Sequence, residues 1–163
     1  MYSGEGLCRI EKIGVPDFRD DKKEYYCLQN PTDSIKVYVP TDTKQPMRRP
    51  MTATEAERFL EDLRGIRVDI QWRRDIKQRQ RVIADTLRDQ TPEAMAKTII
   101  MIRKLHPGGD MPAGEKLILT RTEKNLCDEL AFALDIPVKE SEARVMGIMK
   151  ELTKKEKKEE ERP

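Results

Sequence analysis

The stretch Ile35-Lys-Val-Tyr-Val-Pro40 marks the point where strand-forming sequence ends in this chain of 163 residues. Its β-branched and aromatic residues are typical of a strand. Pro40 ends that strand, because proline has no N–H to donate to a neighbouring strand. Two similar stretches precede it, Gly6–Ile13 and Lys23–Leu28, with turn-forming residues between them. Residues 1–50 therefore predict an antiparallel meander curled into a small β-barrel, which limits its exposed edges.

Beyond residue 51 the apolar residues recur at helical spacing. Thr52-Ala-Thr-Glu55 is a capping-box pattern, and Thr91-Pro92 is a helix start with proline in the first turn. A further helix is predicted from about Asp69 to Asp89, with Ile76, Ile83 and Leu87 as its inward stripe. The sequence thus predicts an α+β chain: a β domain over 1–50, a compact all-α bundle of four or five helices over 51–155, and a charged tail over 156–163.

Composition excludes several classes of protein. Charged residues make up 38% of the chain, but 32 Lys and Arg against 30 Asp and Glu leave a net charge of only +2, so any nucleic-acid site must be a local patch. Neither a signal peptide nor an apolar run of about 18 residues is visible, which predicts no membrane partner. Cys8, Cys27 and Cys127 are widely spaced, which favours a reducing, cytoplasmic compartment without metal or disulfides.

No motif predicts catalysis. His106 stands alone at a predicted helix end and is interpreted as a cap or a surface residue rather than a metal ligand. The serines lie in no nucleophile motif, and no carboxylate stands in an apolar setting. We therefore expect no catalytic residue, no metal and no cofactor, and we interpret the chain as a binding protein rather than an enzyme.

The stretch Ile70–Arg81 is the strongest candidate for a binding segment. It holds the only tryptophan, Trp72, followed by five basic residues. The tryptophan could anchor one helix to another while the cations form a solvated face. Alternatively, it could press into a nucleic-acid groove while the cations contact phosphates. The spacing alone leaves both interpretations open. The basic residues are Arg73, Arg74, Lys77, Arg79 and Arg81.

Five short motifs in order resemble the CarD/CdnL family of bacterial transcription regulators, and together they cover about Tyr2 to Leu134. None of them is specific alone; their order and spacing carry the resemblance. They are Gly6 with Ile10 and Ile13, Lys23-Glu-Tyr-Tyr26, Val37-Tyr-Val-Pro40, Gln71-Trp-Arg-Arg74 and Ala113-Gly-Glu-Lys116.

The resemblance implies a fold and a function. The N-terminal domain would be a Tudor-like barrel that binds the RNA polymerase β subunit through a strand edge. The helical domain would contact promoter DNA at the upstream edge of the transcription bubble, with Trp72 as a minor-groove wedge. The implied phosphate contacts are Arg73, Arg74, Lys77 and Lys116. The implied polymerase contacts are Val15, Phe18, Ile35, Lys36, Val37 and Tyr38.

This sequence departs from the family pattern at two positions. Tyr38 stands where the family often has a basic polymerase contact, and Pro112 stands where it often has a capping serine. We therefore expect Asp110 or Met111 to form the helix entry. A monomer is expected, with a strand-swapped dimer as the alternative. The competing hypothesis for function is a protein-interaction module without DNA contact, in which Trp72 is a structural helix anchor.

Overall fold

The computed structural model describes residues 1–2, 5–31, 35–70 and 75–160, with side chains to residue 152. Within this part of the chain the residues form two compact units, Met1–Pro50 and Met51–Pro163. The first contains the strands and the second contains the helices, so the α+β prediction is confirmed. No helix in the described residues has both the length and the apolar character needed to cross a membrane.

The described residues of the N-terminal unit form a three-stranded antiparallel sheet in the order β1-β2-β3. β1 is Arg9–Gly14, β2 is Tyr25–Gln29 and β3 is Lys36–Pro40. β2 lies in the middle and pairs with both neighbours. The predicted barrel is not confirmed, because β1 and β3 form opposite edges of an open sheet. The antiparallel meander itself is as predicted.

A β-bulge in β1 changes which of its side chains share a face. Ile10 pairs with Leu28 and Ile13 pairs with Tyr26, although Ile10 and Ile13 are three residues apart. The register shifts between Ile10 and Lys12, and this extra residue restores the alternation. Both isoleucines therefore lie on the face that carries Leu28, which is buried. Simple alternation along β1 would have placed them on opposite faces.

Among the described residues of the second unit there are five helices, which confirms the predicted bundle of four or five. α1 spans Ala53–Leu63, α2 Ile76–Leu87, α3 Pro92–Leu105, α4 Ala113–Leu134 and α5 Val138–Glu160. α3 packs against α1, α2 and α4, and α4 also packs against α1 and α5. Most of the buried residues of the unit are apolar, and Ile99, Ile102 and Leu126 are fully buried among them.

Two of the predicted helix starts are confirmed by their capping bonds. Thr52 accepts a hydrogen bond from the Glu55 N–H while Glu55 accepts one from the Thr52 N–H, which completes the capping box. Thr91 accepts from the Ala94 N–H at the start of α3, with Pro92 as the first helical residue. Both helices begin where the sequence pattern placed them.

Two other predicted starts are wrong. α2 begins at Ile76 rather than near Asp69, because the Asp75 side chain accepts from the Gln78 N–H and caps the helix there. α4 begins after Pro112, which is its N-cap and offers no side-chain bond, so neither Asp110 nor Met111 forms the entry.

Candidate functional site

The outer edge of the sheet at β3 carries four of the predicted polymerase contacts. Phe18, Ile35 and Tyr38 are exposed apolar side chains, with Ile35 68% and Phe18 63% accessible to solvent, and Lys36 is exposed between them. Among the described strands β3 pairs only with β2, so its other side is open. We call Phe18, Ile35, Lys36 and Tyr38 the β3 edge surface.

The structure brings Phe18 and Tyr38 together from separate segments. Their rings meet edge to face with centroids 4.8 Å apart, a favourable geometry for two aromatic rings. A hydrogen bond with the Cys27 side chain, directly opposite on β2, raises the pKa of Tyr38. The phenol is therefore neutral at physiological pH, and the pair presents a small apolar platform beside the edge.

The remaining predicted polymerase contacts are divided. Val15 is exposed at the end of β1. Val37 is half-buried and pairs with Leu28, whereas Lys36 and Tyr38 pair with Gln29 and Cys27 on the other face. Because side chains alternate along a strand, Val37 points away from the face of the platform.

In the helical unit, the predicted DNA contacts Trp72, Arg73 and Arg74 lie outside the described residues. The other two are Lys77 in the first turn of α2 and Lys116 in the first turn of α4. Both are exposed, and neither makes an ion pair or side-chain hydrogen bond with a described residue. Arg103 and Lys124, by contrast, are bound to carboxylates.

A buried charged cluster joins the two turns that carry these lysines. Arg79 Nε donates to Glu115 Oε1 at 2.7 Å, and His106 Nε2 lies 2.6 Å from Glu115 Oε2. The side chains of Arg79 and Glu115 are 10% and 5% exposed. Arg79 belongs to the first turn of α2, Glu115 to the first turn of α4, and His106 is the C-cap of α3. His106 is thus a cap, as expected, but its ring is turned into this cluster.

The local sequence explains why Glu115 is available to Arg79. Glu115 is the third residue of α4, where a glutamate commonly accepts a hydrogen bond from the N-cap N–H. The N-cap here is Pro112, which has no N–H. Gly109, with a φ of +80°, closes the turn that follows His106 through its N–H bond to the His106 carbonyl. The carboxylate is therefore left for partners outside its own helix.

The predicted inward stripe of α2 is confirmed only in part. Ile76, predicted to face inward, is 58% exposed, whereas Arg79, interpreted as a surface cation, is buried. Ile83 is buried as predicted and lies one turn beyond Arg79 on the same face. Within α2 alone, nothing in the sequence distinguishes Arg79 from the exposed basic residues around it. We call the exposed residues Lys77, Arg81 and Lys116 the α2/α4 basic surface.

No known protein-family model matches this chain, and a search of curated proteins finds no relative. Among the described residues, no group of three or more His, Cys, Asp or Glu side chains is arranged to hold a metal ion.

Proposed function

We propose that this protein regulates transcription by binding the RNA polymerase β subunit through its N-terminal unit and promoter DNA through its helical unit. The proposal takes the two roles from the motifs that resemble the CarD/CdnL family. A Tudor-like fold of the N-terminal unit is part of the proposal. In the described residues the sheet of this unit is open. The observation that carries it is the β3 edge surface: on its outer side β3 has no neighbour among the described strands, and exposed apolar side chains lie beside it.

The chemistry of the β3 edge surface suits a strand from a protein partner. An open edge offers backbone N–H and C=O groups to an added strand, and neighbouring side chains supply specificity. Phe18 and Tyr38 add aromatic contact area, which is enriched in protein interfaces. Lys36 provides a charge that favours an acidic partner residue.

The α2/α4 basic surface supports the DNA role. Exposed cations contribute affinity through phosphate contacts without reading sequence. In the proposal Arg73, Arg74, Lys77 and Lys116 make these contacts, and Trp72 inserts beside distorted base pairs as an apolar wedge. Such a wedge favours the open promoter complex only to the extent that it contacts that complex better than the closed one.

The polymerase contact is tested by measuring affinity for purified bacterial RNA polymerase with isothermal titration calorimetry. Phe18→Ser is expected to weaken binding on the order of tenfold or more, as for an aromatic anchor at an interface. Ile13→Ser is the matched control: Ile13 is 54% exposed but lies on β1, at the opposite edge. Equal losses for the two variants, or none for Phe18→Ser, would contradict binding through β3.

The DNA contact is tested through Trp72, which is the only tryptophan and gives a single fluorescence reporter. Acrylamide quenching is measured on the full chain alone and with a fork-junction promoter duplex. Protection on adding DNA is expected, together with a shorter open-complex lifetime for Trp72→Ala. A tryptophan protected from quencher from the outset and indifferent to DNA would refute the wedge.

The second candidate function is a protein-interaction module without DNA contact. Each lysine of the proposed DNA surface stands next to an exposed apolar residue, Ile76 beside Lys77 and Leu117 beside Lys116. A mixed apolar and basic surface also suits a protein partner. The quenching experiment separates the two candidates, since only the first requires DNA to protect Trp72.

A further inference from the structure

Three elements of the helical unit meet at one buried carboxylate. Glu115 binds Arg79 through Oε1 and His106 through Oε2, so each oxygen has a different partner. The contact between Arg79 and Glu115 links two helices whose residues are 36 positions apart in sequence. It fixes the first turn of α2 to the first turn of α4, where Lys77 and Lys116 are exposed.

Stability alone does not account for this cluster. A cation in the first turn of a helix is opposed by the positive end of the helix dipole, which is the position of Arg79 in α2. Taking both charges out of water has a large desolvation cost, and apolar replacements of buried ion pairs are often neutral or stabilising. What such a pair does supply is a specific contact, because each buried charge is stabilised only while its partner stays beside it.

We infer that the cluster of Arg79, Glu115 and His106 positions the α2/α4 basic surface, so that Lys77 and Lys116 reach phosphates of one DNA backbone together. The inference rests on the proposed DNA role. Arg79 and Glu115 are positioning residues: they are buried and act through the two exposed lysines. The neutralisation of Glu115 by Arg79 also removes a negative charge directly beside Lys116.

The experiment measures binding of the full chain to a fluorescein-labelled fork-junction duplex by anisotropy, at a series of salt concentrations. Lys77→Gln and Lys116→Gln are each expected to lower the slope of log affinity against log salt by about 1. The paired replacement Arg79→Met/Glu115→Leu is expected to lower affinity on the order of tenfold with a reduced slope. In that background Lys116→Gln should have a smaller effect, since the two lysines no longer act together.

Ile83→Val is the control for a merely structural effect, because Ile83 is buried one turn along the same face of α2. It should leave affinity and slope unchanged. Arg79→Lys keeps a positive charge for Glu115 and should retain most of the affinity for DNA. It tests the positioning role if the paired variant does not fold. An Ile83→Val loss equal to the paired variant's, or an Arg79→Lys loss as large, overturns the inference.

The lysine variants and the paired variant separate the positioning role of the cluster from the proposed DNA role of the lysines. If Lys77→Gln and Lys116→Gln weaken binding but the paired variant binds like the wild type, the positioning role is wrong and the DNA role stands. If neither lysine variant changes affinity or slope, the proposed DNA surface is wrong and the positioning role falls with it.

Discussion

Replacing Arg79 by methionine is expected to destabilise the helical unit strongly. The change leaves the Glu115 carboxylate buried, with its Oε1 partner at 2.7 Å removed. Breaking a buried ion pair on one side costs about 3–5 kcal/mol. Because His106 still lies 2.6 Å from Oε2, we place the loss at the lower end, about 3 kcal/mol. The paired variant Arg79→Met/Glu115→Leu removes both charges and should recover most of that loss.

Urea unfolding followed by circular dichroism at 222 nm measures these differences, since the signal is dominated by the helices. The matched control is Arg103→Met, which removes an arginine bound to Glu123 at 2.6 Å, with side chains 43% and 21% exposed. That loss should stay below about 1 kcal/mol, as for surface ion pairs. The reasoning is refuted if Arg79→Met costs no more than Arg103→Met, or if the paired variant is as unstable as Arg79→Met alone.

Four further predictions concern stability and reactivity. Glu129 is fully buried and accepts from the Met51 N–H at 2.9 Å, so Glu129→Ala should cost about 2–3 kcal/mol in urea unfolding, and Glu129→Gln, which keeps an oxygen acceptor, less. Thr52→Ala should cost about 1 kcal/mol in the same assay through loss of the α1 cap. Burial raises the pKa of the Cys127 thiol from 9.0 to about 11, so iodoacetamide at pH 8 should modify half-buried Cys8 before Cys127. Because the raised pKa favours the thiol in the folded state, its contribution to stability should be intact below pH 9 and be lost as pH rises towards 11. The fall in stability over this range should therefore be smaller in Cys127→Ala than in the wild type.

The sequence predicted elements whose signals are local. The β3 strand follows from its β-branched and aromatic residues and from Pro40, and the start of α1 follows from a capping box within four residues. In both cases the residues that determine the structure are neighbours in sequence. Phe18 and Tyr38, which were candidate polymerase contacts, are exposed, but their ring contact depends on the path of the loop between β1 and β2.

Features that depend on distant partners were not predicted. The bulge in β1 is defined by its register against β2, so alternation within β1 alone gives the wrong face for either Ile10 or Ile13. The burial of Arg79 requires Glu115, 36 residues later, and therefore has no signature within the helix that contains it. Helical periodicity placed Ile76 inside because it shares helical spacing with Ile83 and Leu87.

The two lysines of the α2/α4 basic surface should not contribute equally to DNA binding, because their neighbouring carboxylates differ. Glu115, beside Lys116, is compensated by Arg79, whereas Asp75, two residues before Lys77, is exposed and has no cationic partner among the described residues. The negative charge of Asp75 therefore partly cancels the attraction of Lys77 for phosphates. Lys116→Gln should weaken duplex binding more than Lys77→Gln. Asp75→Asn tests the cause directly: asparagine caps a helix as well as aspartate but carries no charge, so this variant should bind DNA more tightly, and increasingly so as salt is lowered. Unchanged affinity for Asp75→Asn in anisotropy titrations would mean that the first turn of α2 does not face the phosphates.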